Sequence, residues 1–166
     1  MAHVIPIEVP QGSILHRISA ETGAFVDAFE VDLGFAPSLA QVIEAFYSAP
    51  AFRIERILLG TFLRTPTSKS DLAALAVGDA DKFAVWRVVD RSETTIFLRD
   101  KGGRTASWLA VDGTRVRFGS AVYPKHPTRN GPADLGWVFK LLLGFHTWYS
   151  RWLLASAAKR LQAVCG

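Results

Sequence analysis

Residues 82–123 restrict the possible folds more than any other part of the chain, because apolar and polar side chains alternate there with a period of two. Such alternation sends successive side chains to opposite faces of an extended backbone, so it specifies half-buried β-strands. Three breaks divide the run: Asp90-Arg91-Ser92, Asp100-Lys101-Gly102-Gly103 and Asp112-Gly113. Asp-Gly tolerates the positive φ of a two-residue hairpin turn, and the other breaks hold turn formers. The pattern predicts four strands, 82–89, 93–99, 104–111 and 114–123, joined as an antiparallel meander. In the last of them Val116, Phe118, Ser120 and Val122 point one way. Arg115, Arg117, Gly119, Ala121 and Tyr123 point the other way, so one face is apolar and the other is wet at one end.

An apolar sheet face has to be covered, and one later segment is long enough to do it. Residues 134–163 read as a continuous helix with Asp134 as its N-cap, roughly 45 Å long at the α-helical rise. Val138, Leu142, Phe145, Tyr149, Leu153 and Ser156 form its apolar side, with His146 at the edge. Lys140, Gly144, Thr147, Arg151, Ala155, Ala158 and Gln162 form a small or polar stripe opposite, and Trp137, Trp148 and Trp152 lie on a flank between.

Before the meander, residues 1–20 read as an extended segment and 24–32 as a first strand ending at Gly34. Ser38-Leu39-Ala40-Gln41 is a capping box opening a helix that runs to about Tyr47. A second helix is expected from Pro50, with Phe52, Ile54, Ile57 and Leu58 on its apolar side and Gly60 as its stop; a short helical turn follows at 70–75. The fold class is α+β and helix-grip-like: a curved antiparallel sheet packed on a long C-terminal helix, with two short helices after the first strand, in a single domain spanning 1–166. Space between sheet and helix in that architecture is commonly a cavity.

The segments Pro10-Gln11-Gly12-Ser13, Asp27-Ala28-Phe29-Glu30-Val31, Phe46-Tyr47-Ser48-Ala49-Pro50 and Gly144-Phe145-His146 with Arg151 carry a resemblance. In this order, with a strand pair around residues 100–109, the chain resembles an uncharacterised bacterial family of START/SRPBCC-like type. The family's Pro-Phe-His stands here as Gly144-Phe145-His146, and its Lys-His-Leu segment is not kept near Lys101. The resemblance implies an apolar pocket beneath the C-terminal helix and supplies no reaction, since that fold hosts carriers, cyclases and plain binders alike.

Composition narrows the chemistry. At 166 residues the chain can bury roughly two thirds of its unfolded surface and needs no metal or disulfide to fold. Cys165 is the single cysteine, so neither an intrachain disulfide nor a cysteine-built zinc site is possible, and a reducing cytoplasm fits. The N-terminus lacks the basic start and apolar run of a signal peptide, and the most apolar stretch, 141–150, is too short to span a bilayer. Residues 1–100 hold 9 basic and 13 acidic side chains and 101–166 hold 10 and 2, so the positive charge is concentrated in the C-terminal part. Those cations are scattered along strands and loops, which favours a solvated face over a nucleic-acid site.

Among His3, His16, His126 and His146 there is no metal-ligand spacing, and the nucleophile elbow, phosphate loop and dinucleotide fingerprint are absent, so no metal and no cofactor are expected. The leading expectation is a small apolar ligand held by His146, Tyr149, Phe145, Leu142, Trp86 and Trp108. His146 reads either as a core histidine bonded to a carbonyl or as a ligand anchor, and as an acid or base it would serve a cyclase, dehydratase or isomerase. Asp27 and Glu30 fall on opposite faces of their strand and read as exposed charges; Arg87 faces away from Trp86, and Arg104 reads as solvated. A third reading uses the basic, Trp-rich C-terminal part for a membrane surface, a protein partner or a homodimer.

Overall fold

The computed structural model describes residues 3–48, 68–123 and 136–165, with the backbone alone described over 136–146 and at 165. In chain order the elements are β1 (Ile5–Ile7), α1 (Ile14–Thr22), β2 (Phe25–Asp32), α2 (Leu39–Ser48), α3 (Lys69–Val77), β3 (Lys82–Phe83), β4 (Trp86–Arg91), β5 (Thr95–Asp100), β6 (Thr105–Asp112), β7 (Arg115–Val122) and α4 (Gly136–Cys165). The strands form one open sheet in the order β1-β2-β7-β6-β5-β4-β3, antiparallel throughout. The chain is thus α+β, with a long C-terminal helix as expected.

The meander follows its turn chemistry. Gly113 takes φ +60° between β6 and β7, as the Asp-Gly pair requires. At the β5–β6 turn the Asp100 carboxylate accepts from the Gly102, Arg104 and Thr105 amides at 2.9, 2.6 and 2.6 Å, satisfying donors that the ladder leaves over. One expected strand is broken, however. The stretch 82–89 folds back as the tight hairpin β3–β4, with Phe83 opposite Trp86 and Ala84 at φ 54° in the turn. Ala-Val lacks the residues that announce a turn, so the break carries no local signal.

Register sorts the side chains into two layers. Phe29 and Val31 of β2, Val116 and Phe118 of β7, Leu109 of β6, and Ile96 and Leu98 of β5 face α2 and α4 in the larger core. α4 crosses β2 and β7, whereas α2 crosses β6. Phe46 of α2 meets the Phe118 ring at 4.7 Å, and each such fully buried aromatic or aliphatic side chain contributes roughly 1.5–3 kcal/mol. α2 begins at the expected capping box: the Gln41 amide donates to Ser38 Oγ at 3.2 Å and the Ser38 amide to Gln41 Oε1 at 2.8 Å. The expected helical turn at 70–75 is a full helix, α3, with its own capping box between Ser68 and Asp71. The helix expected from Pro50 and the cap at Asp134 lie outside the described residues.

The N-terminal segment is not simply extended. Ser13 caps α1 by accepting from the His16 amide, and Gly23 ends it at φ +67°. α1 lies on the opposite side of the sheet from α2 and α4, where Leu15 packs among Phe97, Ala106, Trp108, Ala110 and Ala121. Gly119 of β7 makes this possible: a Cβ there would sit 2.4 Å from Leu15 Cδ1, 2.8 Å from the Asp27 carbonyl oxygen and 3.2 Å from the Trp108 ring. The same face turns wet beyond α1, where Glu30 accepts from Arg117 Nε at 2.7 Å and Arg117 also reaches Asp112 at 3.0 Å.

The sheet edges are poor templates for further pairing. β1 has Pro6 at its centre, β3 is two residues long, and the β4–β5 register shifts between Val88 and Asp90.

Candidate functional site

A row of polar side chains crosses the helix-covered face near one end of the sheet. Ser120 of β7 is the register partner of both Asp27 on β2 and Ser107 on β6, so the three side chains stand side by side on one face. Asp27 Oδ1 accepts from the Ser120 hydroxyl at 2.6 Å and from its amide at 3.2 Å. Ser107 Oγ lies 3.1 Å from the Tyr47 hydroxyl, which descends from the last turn of α2. Tyr47, Ser107 and Ser120 are buried and Asp27 is half-buried.

The row marks a boundary. On its inner side Phe29, Phe118 and Leu109 are sealed in the core. On its outer side the residues of the same face, Phe25, Val122, Thr105 and Asp100, are only partly covered. Phe83 and Trp86 supply an apolar wall there, with the Tyr47 ring 5.8 Å from that of Phe83. Desolvating hydroxyls and a carboxylate on an apolar face is unfavourable unless each is hydrogen-bonded, and the Tyr47–Ser107 and Ser120–Asp27 bonds supply partners within the row. Chemically it offers a carboxylate acceptor, two serine hydroxyls and a phenol to any group entering from the half-open end.

The expected site residues divide. Trp86 is buried on the helix-covered face. Tyr149 of α4 is buried in the same core, its ring 6.2 Å from that of Trp152. Trp108 is on the other face, among the residues around Leu15 of α1, so it cannot wall a cavity beneath α4. This corrects the expectation, and the reason is register: Trp108 opposes Gly119, whose neighbours Phe118 and Ser120 carry the inward face. Leu142, Phe145 and His146 fall on the α4 backbone, and their side chains lie outside the described residues, as do those of Trp137 and His126. His3 and His16 are exposed, as are Arg87 and Arg104.

Asp27 and Glu30 do face opposite sides, but neither is a free surface charge. Asp27 belongs to the polar row, and Glu30, with its side chain 14% exposed, is paired with Arg117 and lies 3.8 Å from Arg115 Nε. On α4 the buried side is also rotated from expectation. Ser150, Leu154, Ala157 and Ala158 are buried with Tyr149 and Leu153, so Ala158 belongs to the core and not to the polar stripe. Tyr47, Ser107 and Ser120 were not anticipated. Their signal is positional: each is ordinary in its own segment and gains meaning only when the register aligns them.

Two other features have the outline of a site. A cleft of about 310 Å³ lies between α2, α3 and the end of α4, with Glu44, Lys69 and Arg160 at its rim and Leu72 and Leu161 in its floor. Its rim side chains are exposed, and Leu72 and Leu161 are core residues, so it is a groove between packed helices. On the α1 side, the Arg99 guanidinium lies 4.1 Å above the Tyr123 ring. Burial pushes the Tyr123 phenol upward, with Arg99 pulling the other way. Among the described residues no cluster of histidine, cysteine and carboxylate groups could hold a metal ion, and no helix is long and apolar enough to cross a membrane.

The geometry defines the class as an open antiparallel sheet with a long helix and a shorter one across one face. Comparisons with protein-family models, curated proteins and solved structures find no match.

Proposed function

We propose that the chain binds a small apolar molecule between sheet and helices, in the manner of a helix-grip protein, with the Tyr47–Ser107 and Ser120–Asp27 pairs as its polar anchors. The observation that carries this reading is the placement of that row, at the point where a sealed aromatic core gives way to partly covered positions on the same face. Ligand sites of this kind are mostly apolar with a few convergent polar groups that fix orientation. Phe25, Phe83, Trp86 and Val122 provide apolar surface beside the row, and the row provides both donors and an acceptor. A structural polar row would need no neighbouring half-open end. An acid–base enzyme is the second reading, favoured by the half-buried Asp27 carboxylate bonded to Ser120, and it requires turnover as well as binding.

The test is native mass spectrometry of the purified protein, joined to titration with an environment-sensitive apolar dye. The expected result is a bound apolar species or dye uptake that Val122→Trp, which fills the half-open end, weakens at least about tenfold. A protein that is empty and takes up no dye, or dye binding that Val122→Trp leaves unchanged, overturns the proposal.

A further inference from the structure

One stripe of α4 runs along the margin of its packing on the sheet, with Trp152 and Ala155 half-buried against the core and Trp148, Arg151 and Lys159 exposed. Trp148, Arg151, Trp152, Ala155 and Lys159 recur at spacings of three and four, so they share one side of the helix. Trp148 is 59% exposed, and its indole stacks on that of half-buried Trp152 with centroids 6.0 Å apart and 12° between the planes. Trp152 in turn meets buried Tyr149. The aromatic stack is therefore anchored in the core at one end and wet at the other.

The charge of the element has one sign. Gly136–Cys165 contains Lys140, Arg151, Lys159 and Arg160, and neither aspartate nor glutamate. Arg151 and Lys159 are exposed on the stripe itself. Arg151 Nη2 also donates to the Val4 carbonyl at 3.4 Å, which brings the start of β1 alongside. A stripe of cations alone, interleaved with indoles, complements a surface that is negative and has an apolar layer beneath it. Indoles settle at the level of lipid headgroups, and each Lys or Arg near an anionic bilayer strengthens the attraction roughly fivefold.

We infer that this stripe docks the protein on an anionic lipid surface, with Trp148 entering the headgroup layer, Trp152 backing it, and Arg151 and Lys159 meeting lipid phosphates. The opposite side of α4 keeps Leu153, Leu154, Ala157 and Leu161 in the core, so docking needs no unfolding. The inference is independent of the bound-ligand reading and stands or falls without it.

Sedimentation with vesicles of equimolar phosphatidylglycerol and phosphatidylcholine tests it, against vesicles of phosphatidylcholine alone. Binding to the anionic vesicles is expected at low salt, weaker by about tenfold or more on neutral vesicles, and lost in Arg151→Glu/Lys159→Glu. Trp148→Ala, checked for native circular dichroism, is expected to weaken it about tenfold. Absence of binding to anionic vesicles at low salt, equal binding to neutral ones, or full binding by a folded Trp148→Ala variant overturns the inference. Self-association that Trp148→Ala abolishes, with no vesicle binding, also overturns it. Should Trp148→Ala fail to fold, quenching of tryptophan emission by brominated lipid decides: a decrease in Trp148→Phe supports docking, and no change refutes it.

Discussion

Replacing Gly119 by alanine probes how α1 is attached to the sheet. The added methyl would meet Leu15 Cδ1 at 2.4 Å and the Asp27 carbonyl oxygen at 2.8 Å. Leu15 can turn its end aside, but it is fully buried and α1 has no other fully buried side chain. The Asp27 carbonyl belongs to the β2 backbone, paired to β7 along eight positions, and cannot yield alone. Overpacking of this kind costs about 1–3 kcal/mol. Alanine recovers roughly 0.5–1 kcal/mol because glycine is unfavourable inside a strand. The net destabilisation expected is about 1–2 kcal/mol, or a fall in Tm of roughly 2–8 °C for a chain of this size. Urea unfolding with an unchanged m-value would measure it. Leu15→Ala alone should cost about 2–5 kcal/mol. The double variant should lose less than the sum of the two single losses, because the missing isobutyl group leaves room for the methyl. Strict additivity, or a stable Gly119→Ala protein, would refute the account of α1 docking.

Tyr47→Phe and Ser107→Ala should each cost about 1 kcal/mol, and the double variant little more than either, since both remove one buried hydrogen bond; chemical denaturation of the four proteins would show it. Ala84→Gly should stabilise the β3–β4 hairpin by up to about 1 kcal/mol, because alanine at φ 54° is strained, and a lower Tm would contradict this. For α3, the Ser68 amide and hydroxyl hold the Asp71 carboxyl below the ordinary value of 3.8. A depressed carboxylate stabilises fully above that value and loses its effect as pH falls through the lower folded-state value. Amide exchange in α3 should therefore be faster in Asp71→Asn than in the parent near pH 6, with the difference shrinking as pH drops below about 3.8.

Where local chemistry decides structure, the sequence was readable. Ser38 and Gln41 announced α2, Asp112-Gly113 announced the β6–β7 turn, and the two-residue alternation announced the meander and its apolar face. α1 was missed although Ser13 and Gly23 bracket it. Leu15 is its only fully buried side chain, with Ile14 and Ile18 half-buried beside it, and three apolar residues in one nine-residue helix make too short a period to announce it. The alternation ran unbroken through Ala84 because the hairpin there forms on strained alanine instead of on glycine or asparagine. The polar row was hidden for a different reason. Asp27, Ser107 and Ser120 lie in three strands and Tyr47 in a helix, and which serine faces which carboxylate is a property of register, set only when the strands pair.

The sheet order also governs how the chain emerges during synthesis. β4 to β7 are neighbours both in sequence and in the sheet, but β2 sits between β1 and β7, and Asp32 pairs with Arg115 about 80 residues later. At the usual pace of translation that interval is roughly 4–16 s, during which the apolar side chains of β2 and Leu15 have no finished sheet to join. The nascent N-terminal segment thus waits for its sheet neighbour until β7 has been made.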